Sequence, residues 1–200
     1  MFPTMSSARS RAAAMLLALG LLAAQAAPAA PTTSTFEPSL ELGGATLQLN
    51  GKGTRYRFAF KVYDMALYTQ KKVGSAEELL ALPGPKRLQF VALRELSGTD
   101  LGRLFLRGMA DNATGDQMNR HTVASTRLIE VFSGRAKMLP GETFAMNFEP
   151  GKGTTFYIQG KAQGAAVGDD EFFRLVLKIW FGDSPADRLL RDALLDKTRD

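Results

Sequence analysis

The chain has 200 residues, 45% of them hydrophobic, a formal charge of +5 at pH 7 and no cysteine. Without thiols there are no disulfides, no cysteine nucleophile and no Cys-type zinc site, so stability has to come from packing. The positive balance is mild and no Lys/Arg run exceeds two residues, which excludes nucleic acid as an expected partner.

Residues 1–26 read as a signal peptide. Arg9 and Arg11 make a positive start, residues 12–22 an apolar stretch, and Ala24-Gln25-Ala26 a small-x-small cleavage site. The apolar stretch is short for a bilayer crossing, so no stable membrane span is expected. Export to the periplasm is the expected localisation, with an uncleaved N-terminal anchor as the competing reading. Cleavage removes Arg9 and Arg11 and lowers the charge from +5 to +3. Residues 27–36 are expected to be a flexible N-terminal segment and residues 37–200 a single domain, since about 174 residues suffice for one core.

Within that domain the hydrophobic period changes several times. Residues 40–49 alternate around Gly43-Gly44, and residues 56–68 put Phe58, Phe60 and Val62 on one face and Ala59, Lys61 and Tyr63 on the other. Asn50-Gly51 between them predicts a hairpin turn. Ser75 with Glu78 predicts a helix start, closed by Pro83-Gly84-Pro85. Residues 87–93 return to strand character. Ser97 and Asp100 open a further helix, followed by a helical stretch over residues 116–132. Residues 143–148 and 154–158 flank the turn Glu149-Pro150-Gly151-Lys152-Gly153, and residues 170–195 hold two helices separated by Gly182-Asp183-Ser184-Pro185, where Asp183 or Ser184 is the expected N-cap. Strands, helices, strands and helices without regular alternation imply an α+β fold, with helices on one face of a mainly antiparallel sheet.

The stretch GKGTRYRFAFKVYDMALY, residues 51–68, keeps Arg55, Arg57, Lys61 and Asp64 among its aromatics. Together with VALRELSGTDLGRLF and LVLKIWFGDSPADRLLRDALL it resembles the chalcone isomerase-like family, specifically an exported bacterial branch. The resemblance extends over residues 37–195 and rests most on G-x-G-x-R, F-K-V-Y-x-x-x-L-Y and W-x-G-D-x-P. It implies an open-faced β-sandwich, a large antiparallel sheet with helices packed on one face and a small-molecule cleft between them.

The family's enzymes arrange an arginine, a threonine, a tyrosine, an asparagine and a further hydroxyl around that cleft. The resemblance places Arg55 on the arginine, but Tyr63 on the threonine and Leu101, Gly108 and Ile179 on the other three. It therefore implies a non-catalytic binding protein for a small hydrophobic or amphipathic carboxylate such as a fatty acid, with Arg55 and Tyr63 as polar anchors. Their chemistry fits: guanidinium presents a fork to a carboxylate and a phenol adds a neutral donor. Read from the residues alone, Arg55 equally suits a solvated strand end and Tyr63 a core aromatic. Tyr68 either extends the site or fills the core. No catalytic residue and no cofactor is assigned. His121, the only histidine, leaves haem ligation as the one remaining cofactor option. Two other functions stay open, an isomerase or lyase using Arg55 and Tyr63, and an interaction subunit docking through residues 170–195.

Overall fold

The computed structural model describes residues 32–197; the expected signal peptide lies outside them. Nine strands and six helices follow in the order β1 (Ser39–Leu42), β2 (Ala45–Arg57), β3 (Phe60–Thr69), α1 (Ala76–Ala81), β4 (Lys86–Ala92), β5 (Leu96–Ser97), α2 (Gly98–Ala110), α3 (Gly115–Arg120), α4 (Thr122–Ser133), β6 (Lys137–Met138), β7 (Thr143–Glu149), β8 (Gly153–Ile158), β9 (Lys161–Ala162), α5 (Asp170–Phe181) and α6 (Arg188–Leu194). A seven-stranded antiparallel sheet in the order β1-β2-β3-β4-β7-β8-β9 carries the helices on one face, and β5 pairs with β6 separately. The α+β, open-faced architecture expected from the sequence is what the chain forms.

Alternation decides which side chains reach the helices. Tyr63, Met65 and Leu67 of β3, Leu88, Phe90 and Ala92 of β4, and Phe144, Met146 and Phe148 of β7 all enter the main core with Phe105, Phe132 and Trp180. The opposite face of β3 is also covered. Ala66 and Tyr68 pack there with Phe36, Leu42 and Leu47, and Asp64 accepts from the Thr54 hydroxyl at 2.5 Å and the Ser34 N–H at 2.7 Å. Residues 32–36, expected to be flexible, are thus laid against the sheet, with Phe36 buried.

Helix starts follow the predicted caps. Ser75 accepts from Glu78 N–H and Ser97 from Asp100 N–H. Three expectations need correction. Asn50-Gly51 is not a turn but a bulge inside β2. The Asn50 amide is buried, donating to the carbonyls of Val73 (3.1 Å) and Leu194 (2.8 Å) and accepting from Val73 N–H (2.8 Å), so tertiary bonds override the local turn preference. Gly51 and Gly53 are needed because α6 crosses here: a Cβ on Gly51 would collide with the Ala193 and Leu194 carbonyls, and one on Gly53 would lie 2.8 Å from the Ala193 Cβ. The hairpin turn instead falls at Phe58-Ala59. Residues 116–132 form two helices broken at His121, and α6 is capped by Asp187, which accepts from Leu190 N–H, not by Asp183 or Ser184.

Candidate functional site

Register sets Arg55 opposite Tyr63 in the β2–β3 ladder, so both side chains leave the sheet toward the helices. The Arg55 Nη1 donates to the Tyr63 hydroxyl at 3.3 Å, and its Cζ stands 5.6 Å from the ring centroid. Trp180 Nε1, from α5, donates to the same oxygen at 2.9 Å. Two donors occupy the phenol's lone pairs, and among the described residues its own proton has no acceptor. The Tyr63 hydroxyl beside it, helped more weakly by the Asp187 carboxylate, holds Arg55 above its ordinary pKa against the opposing effect of burial. Arg55 Nε is buried and has no hydrogen-bond partner. A guanidinium with one committed nitrogen and one unpaired N–H is half of a carboxylate fork.

The pair lies at the base of a recess of about 220 Å³ that opens between β3 and α2. Arg57 and Arg94 add cationic groups to its wall, while Val62, Leu101 and Leu104 supply apolar surface. Its acids are Glu95, engaged by Lys137 at 2.9 Å, and Asp100. Deeper between sheet and helices the space is filled: Phe90 stacks on Phe144 at 4.3 Å, and Phe105 meets Phe132 at 5.1 Å and Trp180 at 5.8 Å. The recess falls short of the roughly 300–1,000 Å³ usual for a site that engulfs its ligand. It suits the head of an amphipathic molecule, with the remainder left along the rim.

Tyr68 is not part of this arrangement. It lies five positions after Tyr63, so the two-residue period sends it to the opposite face, where its hydroxyl donates to the Glu37 carbonyl at 2.9 Å and burial pushes its pKa up to about 12. His121 sits far along the chain at the α3–α4 junction, buried, with Nδ1 3.8 Å from an Asp169 oxygen and Nε2 3.4 Å from a Glu171 oxygen. Both ring nitrogens face carboxylates at the start of α5, though Nε2 makes no hydrogen bond among the described residues, and the histidine stands apart from Arg55 and Tyr63. Leu101 does line the recess. Gly108 packs on Ile179, whose Cγ2 would stand 2.9 Å from any added Cβ, so two positions that the resemblance sets against polar residues meet here as hydrocarbon. Sequence reasoning missed Trp180 as the partner of Tyr63 and missed Arg57 and Arg94 in the recess. The tryptophan lay inside the W-x-G-D-x-P motif, but nothing in its spacing pointed at β3.

A seven-stranded antiparallel sheet, helices over one face and a small cationic recess at their junction define the class of open-faced β-sandwich proteins. The chain belongs to the chalcone isomerase-like family, whose profile matches residues 30–196. Its fold is similar to the crystal structure of an Arabidopsis thaliana fatty-acid binding protein, with a TM-score of 0.59 and 16% sequence identity over 82% of this chain and 92% of that one. None of the curated proteins matches the sequence.

Proposed function

We propose that this protein binds a small amphipathic carboxylic acid, such as a fatty acid, without converting it. The observation that carries this reading is the Arg55 guanidinium, protonated, held by Tyr63, and left with a buried Nε that has no partner. A carboxylate entering the recess is drawn to this guanidinium and, with a small shift of the side chain, accepts a hydrogen bond from that N–H, while Leu101 and Leu104 contact the first methylenes. The similarity in fold to a fatty-acid binding protein supports the choice of ligand class. Hydrocarbon at Leu101, Gly108 and Ile179 leaves an enolate without positioned donors, and losing even one such donor commonly costs about a hundredfold in rate. Isomerisation is therefore the weaker reading. The sequence features of residues 1–26 support a periplasmic site of action, which N-terminal sequencing of the purified protein tests.

The deciding experiment is thermal unfolding with a series of fatty acids. Ligand at a hundredfold excess over its Kd stabilises by about 2.7 kcal/mol, a rise of roughly 5–10 °C for a chain of this size. Arg55→Met should abolish most of that rise. Absence of any rise, or an equal rise in Arg55→Met, overturns the assignment.

A further inference from the structure

The tip of the β2–β3 hairpin has features that folding does not explain. Its turn places Phe58 at a φ of 55°, a left-handed conformation that strains a bulky side chain and ordinarily selects Gly or Asn. The same ring is 90% exposed, and Phe60 two residues on is 64% exposed. A glycine or asparagine at position 58 would relieve the strain and remove the exposed ring, so the fold alone gives no reason for phenylalanine. Cations surround the rings. Arg57 and Lys61 adjoin them in the chain, and the Arg94 guanidinium lies 5.6 Å over the Phe60 ring. Among the described residues none of the three has an ion-pair partner.

Two phenyl rings projecting from a narrow tip, with three unpaired cations around them, complement an anionic lipid surface. There the rings settle at the boundary of headgroups and acyl chains while guanidinium and ammonium groups reach phosphates. A protein partner would have to supply an apolar slot and several converging acids at once to match the same tip. We propose that the β2–β3 hairpin tip is a reversible membrane-contact element that seats this protein on an anionic bilayer. Because Arg57 and Arg94 belong to both the tip and the wall of the recess, the mouth of the recess opens beside the lipid. Membrane contact goes beyond ligand binding and does not depend on it.

The test compares forms of the protein purified identically, on vesicles of phosphatidylcholine with and without phosphatidylglycerol. In Phe58→Trp the new indole reports the tip itself, whatever the N-terminal residues do, because the native Trp180 is fully buried. Its emission should shift blue and be quenched by brominated lipid on phosphatidylglycerol vesicles only, with reversal at high salt. Phe58→Ser/Phe60→Ser should lower the partition coefficient by on the order of a hundredfold, about tenfold per ring, and Arg57→Ser/Lys61→Ser by roughly twenty-fivefold, about fivefold per charge, with melting temperatures held. Equal binding by the phenylalanine variant, or a Trp at position 58 that stays unquenched on vesicles that carry the protein, overturns the proposal. So does failure of the wild type to bind either vesicle, which would turn the tip into a candidate for protein contact. Arg55→Met separates the two functions: loss of the fatty-acid thermal shift in that variant with retained vesicle binding supports both readings, whereas a wild-type protein that shows the thermal shift but binds no vesicle rejects the membrane contact alone.

Discussion

Tyr63→Phe removes one oxygen from the centre of the protein and leaves every ring contact in place. The oxygen accepts from Trp180 Nε1 at 2.9 Å and from Arg55 Nη1 at 3.3 Å. Trp180 is fully buried among Phe90 and Phe105, so its orphaned N–H has no water to turn to, and an unsatisfied buried donor costs about 1–3 kcal/mol. The longer bond from the half-buried Arg55 adds about 0.5–1 kcal/mol. A loss of roughly 1.5–4 kcal/mol follows, equivalent to about 3–16 °C in melting temperature. Urea unfolding measures it directly, and because Trp180 is the single tryptophan its fluorescence follows the affected contact. The midpoint should fall with an unchanged slope. Arg55→Met, which keeps the Trp180 bond, should lose less than half as much. A destabilisation by Tyr63→Phe below about 0.5 kcal/mol would mean that the indole N–H is satisfied elsewhere, and the account of the phenol as a structural acceptor would fail.

Gly51→Ala should destabilise by about 1–3 kcal/mol or more, since the new methyl meets the carbonyls of Ala193 and Leu194 in α6. Gly74→Ala, where nothing lies within 4 Å, should stay within about 0.5 kcal/mol in the same denaturation assay, and equal effects would reject the close-approach argument. Lys86 is buried with its Nζ donating to the Leu82 and Gly84 carbonyls, and burial pulls its pKa down to about 8 from 10.5. Between those values the unfolded chain binds the proton more readily, so this group makes stability rise with pH across the window; the gain, reduced by residual solvent screening, is about 1–2 kcal/mol. Urea midpoints between about pH 8 and 10 should climb in the wild type and lose that climb in Lys86→Met; parallel profiles would refute it.

The elements that the sequence revealed are those whose causes are local. Ser75 and Ser97 bond to backbone three residues away, and the alternation of Phe144, Met146 and Phe148 needs only the pleat and one buried face. Asn50-Gly51 misled because its cause is remote: the amide is claimed by Val73 and by Leu194, 144 positions along the chain. The true turn at Phe58-Ala59 was invisible for the opposite reason, since phenylalanine at positive φ contradicts ordinary turn chemistry. At the site, the pairing of Arg55 with Tyr63 follows from strand register, and the family resemblance singled out both. Their third partner, Trp180, comes from a helix more than a hundred residues later, and no periodicity within β3 carries that information. Tyr68 was separable by counting, because an odd spacing along a strand changes face.

The buried Asn50 amide joins three segments that are far apart in synthesis: strand β2, the approach to α1 at Val73, and the end of α6 at Leu194. Its bonds to Val73 need only the next two dozen residues or so of chain, but its bond to Leu194 and the covering of Gly51 wait for α6. A chain growing from its N-terminus therefore holds an unfinished sheet surface and an unmet amide until α6 docks, and contacts of such sequence separation form late and slowly. Helix α6 is thus the piece that completes this part of the sheet. When it closes on the glycine track of β2 it covers that stretch of the sheet and joins two segments of the domain about 140 residues apart.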